Sequence, residues 1–96
     1  MHNFQVTRII DGDTFEVNPN WQWNGQSGDR VRPTGYDAAE IGSRGAAAAT
    51  SWLSNLILGR TVGLGSAYKI DRGRLVCDVY FNGRSLADYY RSRSPA

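Results

Sequence analysis

Apolar and polar positions change period along the chain, and the changes mark its elements. Residues 4–10 (FQVTRII) and 14–17 (TFEV) are rich in β-branched and aromatic side chains, with Asp11-Gly12-Asp13 between them. An Asp-Gly between two such runs predicts a hairpin, because glycine tolerates the positive φ of tight turns. Residues 18–29 (NPNWQWNGQSGD) read as a polar excursion with Asn-Gly and Ser-Gly turn signals. Trp21 and Trp23 share parity, which leaves open a strand extension into that loop. A third strand is expected from about Arg30 to Tyr36. Pro33 argues there against a regular central ladder, and Gly35 marks a bulge or a close backbone approach.

From Arg44 to Leu58 the period becomes helical. Ala49, Trp52, Leu53, Leu56 and Ile57 fall on one face, and Gly59 is placed to end the helix in a left-handed cap. Strands near 61–69 and 74–81 follow, joined by Asp71-Arg72-Gly73. Asn82-Gly83 turns the chain again, and Ser85 is positioned to cap a short helix over LADYYRSR. Five strands with a helix between the third and fourth, in 96 residues, predict one domain. Its expected fold is mainly β with helices: a five-stranded Greek-key barrel of the oligonucleotide-binding type. An open α+β sheet is the alternative that pattern alone leaves standing.

Composition narrows the chemistry. Cys77 is the only cysteine and His2 the only histidine, so a thiolate metal cluster is excluded and zinc has almost no ligands. Any bound metal must be held by oxygen, which points to hard cations. No run of 18 apolar residues spans a membrane, and MHNFQVTRII shows no signal peptide; secreted and cytoplasmic locations both stay open. The net charge is +2, and the basic residues gather in the second half. Ten of the eleven are arginine, whose planar fork matches phosphate oxygens.

Four acids and two arginines carry the candidate chemistry. Asp11 and Asp13 flank Gly12 in the first turn, and Asp37 and Glu40 lie just beyond the third strand. If that strand pairs with the first hairpin, these carboxylates converge, and their repulsion calls for a cation or an arginine. Arg32 precedes Asp37, and Arg74 opens the fifth strand. Each residue alone reads as a turn, a first-turn acid or a surface ion pair. Together they offer a cation site, a base and two forks for an anion that gains charge in its transition state.

Three runs resemble the signature of the staphylococcal nuclease (thermonuclease) family: Ile10-Asp11-Gly12-Asp13-Thr14, Arg32 through Glu40 (RPTGYDAAE), and Asp71-Arg72-Gly73-Arg74. They stand in the family's order, with the helix between the last two, so the resemblance spans roughly residues 5–92. It implies an oligonucleotide-binding barrel and a calcium-dependent nuclease that hydrolyses DNA and RNA to 3′-phosphates; a monomer is expected, and endonuclease or exonuclease action is left open. Carried over by position, Asp13, Asp37 and the backbone carbonyl of Ala38 would bind calcium. Glu40 would be the general base, Arg32 and Arg74 would stabilise the phosphorane, and Asp11 and Thr14 would support the metal loop. Ala38 and Ala39 stand where the family has threonine and proline, and the family's tyrosine-bearing segment has no counterpart before Ala96. That segment helps hold the nucleotide in the family, so substrate affinity and cleavage pattern are left open by the resemblance. A nuclease-like barrel that binds nucleic acid or protein without cutting is the competing expectation, and a plain structural barrel is a third.

Overall fold

In a computed structural model, which describes residues 2–39 and 42–93, the chain folds as a closed mixed β-barrel with two helices. Its elements are β1 (His2–Asp11), β2 (Thr14–Trp23), β3 (Gln26–Pro33), α1 (Ala46–Ile57), β4 (Thr61–Asp71), β5 (Arg74–Phe81), the two-residue β6 (Arg84–Ser85) and α2 (Leu86–Ser92). β1 serves two neighbours: His2–Gln5 pairs with β4, and Gln5–Asp11 pairs with β2 across a bulge between Val6 and Arg8. That division bends the sheet back on itself. Parallel pairing of β3 with β5, from Arg30↔Arg74 to Pro33↔Cys77, closes the barrel. The expected five-strand barrel is the one formed, and β6 only extends β5 as a short hairpin.

The residues at 18–29 correct the sequence reading. They form no loop: β2 runs to Trp23, turns at Asn24-Gly25 and returns as β3 from Gln26. Both turn residues have positive φ (52° and 76°), which matches a tight hairpin to the twist of its strands. Trp21 is buried, packs over the site of Gly28 and donates its indole N–H to the Arg30 carbonyl at 2.7 Å. β3 also ends earlier than expected, at Pro33. Having no N–H, Pro33 cannot continue the ladder, and the next amide, Thr34, bonds the Cys77 carbonyl at 3.0 Å. At the other end of the chain, His2 is paired with Leu64 rather than frayed.

Inward residues of all five strands make the core: Val6, Phe15, Val31, Val62, Cys77 and Val79 are essentially inaccessible. Burial pushes the Cys77 thiol up to about 12, so it is an inert apolar filler. α1 covers the barrel beside β1 with Ala49, Leu53 and Ile57, spaced four apart. Burying a side chain such as Leu53 or Ile57 contributes about 1.5–3 kcal/mol, enough to fix the helix on the sheet. Gly59 follows it at φ 78° and donates its N–H to the Val6 carbonyl at 2.9 Å. α2 is capped as expected, the Ser85 hydroxyl accepting from the Asp88 N–H at 3.2 Å. Among the described residues, no helix is long and apolar enough to cross a membrane.

Candidate functional site

Three segments far apart in sequence meet on one side of the barrel. The β1–β2 turn supplies Asp13, the last residues of β3 and the loop beyond supply Arg32 and Asp37, and the first residue of β5 is Arg74. β3 and β5 lie in register, so their outward residues form rows. Arg32 stands beside Val76, which stands beside Lys69 of β4. Lys69 shares with Arg32, Thr34, Gly35, Tyr36, Asp37, Asp71 and Val76 the lining of an open cleft of about 580 Å³.

Asp13 is the anchor of this cleft. Its carboxylate is buried; Oδ2 accepts from the Ala38 N–H at 3.2 Å and from Arg32 Nη2 at 3.4 Å, and Oδ1 accepts from the Thr14 hydroxyl at 3.4 Å. Asp11 Oδ1 in turn accepts the Asp13 N–H at 3.0 Å, which closes the turn. Burial raises the Asp13 pKa above its ordinary value, and Asp11 adds to the effect; the Ala38 N–H and Arg32 oppose it. The same Arg32 Nη2 also pairs with Asp37 Oδ1, on a carboxylate that is 87% exposed. Two carboxylates therefore share one guanidinium nitrogen. Partial burial works against the Arg32 charge, but Asp37 and Asp13 outweigh it and raise its pKa.

Arg74 joins the cluster through Thr14. Its Nη1 donates to the Thr14 hydroxyl oxygen at 3.1 Å, while Nη2 holds Asp71 Oδ2 at 2.9 Å and Nε the Asp71 carbonyl at 3.3 Å. The Thr14 hydroxyl thus accepts from Arg74 and donates to Asp13. Hydrogen bonds link Asp11, Asp13, Thr14, Arg32, Asp37, Ala38 and Arg74. Glu40 lies outside the described residues.

Sequence reasoning missed what holds the Asp37 loop. Tyr36 is buried and donates its hydroxyl to the Gly12 carbonyl at 3.0 Å, tying the loop to the first turn. Burial pushes its phenol up, so it stays a donor. Tyr90 of α2 stacks on Tyr36 at 4.5 Å between centroids and donates to the Asp37 carbonyl at 3.3 Å; Trp52 meets both rings edge-on. The helical spacing of Trp52 and the adjacency of Tyr89 and Tyr90 were visible, but not their convergence on a third ring. Lys69 was missed as well, since only the β4–β5 register sets it beside Arg32.

Among the described residues, no three histidine, cysteine or acidic side chains come close enough to hold a metal ion. The pair that does converge, Asp13 and Asp37, offers oxygen alone around a point already occupied by positive charge. Oxygen donors of this kind would suit a hard cation rather than a soft one. No protein-family model matches this chain, and no curated protein matches it either. The functional reading rests on the site itself.

Proposed function

We propose that the chain is a calcium-dependent nuclease of the staphylococcal nuclease type, cutting DNA or RNA to 3′-phosphates. One observation carries the reading: two acids and two arginines, drawn from the β1–β2 turn, the end of β3 with the loop beyond it, and the start of β5, share one hydrogen-bonded cluster beside an open cleft. A purely structural barrel does not need a buried carboxylate whose charge is held by an arginine from another strand.

Asp13, Asp37 and the Ala38 carbonyl would hold calcium, which when bound supplies charge to polarise a phosphoryl oxygen. Arg32 and Arg74 donate to the phosphate and stabilise the added negative charge of in-line attack. Glu40 takes the proton of the attacking water. The water oxygen bonds to phosphorus, the P–O5′ bond breaks with its electron pair going to O5′, and O5′ takes a proton from solvent, leaving a 3′-phosphate and a 5′-hydroxyl. Thr14 keeps Arg74 and Asp13 in fixed relation, and Tyr36 and Tyr90 hold the Asp37 loop against the barrel.

The test is digestion of single-stranded DNA with calcium or with chelator, by the wild type and by Glu40→Gln. Cleavage is expected only with calcium and only by the wild type. Cleavage that survives chelation, or that Glu40→Gln leaves untouched, contradicts the mechanism. Strand binding without cutting at any calcium level identifies a binding module instead.

A further inference from the structure

Two hydroxyls and a carboxylate on the outer face of the barrel are linked in a way the proposed chemistry does not use. Two residues along from Arg32 and from Val76 stand Thr34, just past the end of β3, and Asp78 of β5. The β4 ladder shifts register on either side of Ala67, and Tyr68 falls in the irregular stretch between the Ala67–Cys77 and Lys69–Val76 pairs. Asp78 joins the three. Its Oδ1 accepts the Thr34 hydroxyl, and its Oδ2 accepts the Tyr68 hydroxyl at 2.9 Å. Thr34 itself lines the cleft that holds Arg32, Asp37 and Lys69.

Tyr68 is thereby held by its hydroxyl while its ring stays open to solvent. It is 58% exposed, and with Leu58 it is one of two exposed large hydrophobic residues among those described. The Asp78 bond also raises the Tyr68 pKa above its ordinary value. Tyr68 adjoins Lys69 in the chain, and through Asp78 it is linked to Thr34, which lines the cleft with Arg32 and Lys69. A flat ring tied to the edge of a cleft that holds an arginine and a lysine suits a chain that alternates anionic phosphates with flat bases.

We infer that Tyr68 is a stacking platform for one base of a single-stranded nucleic acid whose backbone phosphate lies along Arg32 and Lys69, and that Asp78 and Thr34 set its orientation. The assignment rests on the nucleic-acid reading above and extends it to a base subsite. Stacking on a ring is tolerant of base identity, so the subsite adds grip without sequence preference. Tyr68 acts on affinity, and no step of the hydrolysis passes through it.

The test uses fluorescence anisotropy at low salt with a labelled thymidine oligonucleotide and an otherwise identical abasic one. Titrations run in chelator, and again in calcium with phosphorothioate linkages. Tyr68→Ala is expected to weaken binding of the base-bearing strand by about tenfold. Its effect on the abasic strand is expected to stay below about twofold, and Tyr68→Phe should bind both strands nearly as the wild type does, because it keeps the ring. Equal losses on the two strands, or no loss on the base-bearing one, overturn the subsite alone. Failure of the wild type to bind either strand in either condition overturns the subsite and the nucleic-acid reading together.

Discussion

Arg32 is the residue on which the site turns, because its Nη2 is shared by the Asp13 and Asp37 carboxylates. It is the internal counter-charge of the cluster. Removing it leaves two carboxylates facing each other uncompensated, which favours any divalent cation that can take its place. Arg32→Ala is therefore expected to bind calcium more tightly by calorimetry while losing at least about tenfold in turnover, the loss of one charge-stabilising donor. Weaker calcium binding in that variant would mean that Arg32 organises the acids rather than competing for them. Asp13 makes the complementary case. Its folded pKa lies above the ordinary 3.8, so the fold binds that proton more tightly than the unfolded chain does. Stability is then lost as pH rises from the ordinary value through the raised one. In chelator, the Tm of Asp13→Asn should gain on the wild type as pH goes from about 3 to about 7. A Tm difference that stays flat or shrinks over that range would contradict a buried, destabilised carboxylate.

At the scale of elements, the site depends on how closely the first turn can approach α1. A Cβ added at Gly12 would lie 2.6 Å from the Ala49 Cβ and 2.7 Å from the Ala38 Cβ. Gly12 is not among the positive-φ glycines, so space and not backbone freedom requires it. Gly12→Ala should cost about 1–3 kcal/mol by overpacking, read as a lower Tm and denaturant midpoint, with the calcium affinity falling as the Asp13 turn shifts. Unchanged stability would show that α1 gives way freely. The same position explains what could be read from sequence and what could not. Asp11-Gly12-Asp13 announced a turn, and its motif announced the acids. The reason for its glycine lay in Ala49, a helix residue distant in sequence that only packing brings near. Helix periodicity likewise foretold Leu53 and Ile57 in the core, since 3.6-residue spacing is a local signal. The Tyr36–Tyr90–Trp52 cluster joins three elements and has no local signature at all. The polar stretch at 18–29 looks like a loop because turn residues sit at its middle, yet Asn24-Gly25 suffice to reverse a strand, and the shared parity of Trp21 and Trp23 is the local sign of the extension that β2 makes.

For the molecule as a whole, barrel closure is what turns scattered charges into a site. Neither Arg32 nor Arg74 is near Asp13 in sequence, and the parallel β3–β5 pairing together with the β1–β2–β3 meander gathers them on one side. The order of strands and the helix between the third and fourth were legible from pattern, because hydrophobic period and turn residues are local. Which outward residues share a row was not, because register across strands depends on bulges such as those around Ala67. The cleft that results is open, with basic and acidic groups on the same wall, and its proposed use is to bring a phosphodiester to a calcium held by Asp13 and Asp37. The most direct measurement is single-turnover cleavage of an end-labelled single-stranded oligonucleotide across a calcium titration, with the product ends identified. The expected result is a rate that rises and saturates with calcium, vanishes in chelator, and yields 3′-phosphate ends. A rate indifferent to calcium, or products ending in a 3′-hydroxyl, would contradict the assignment.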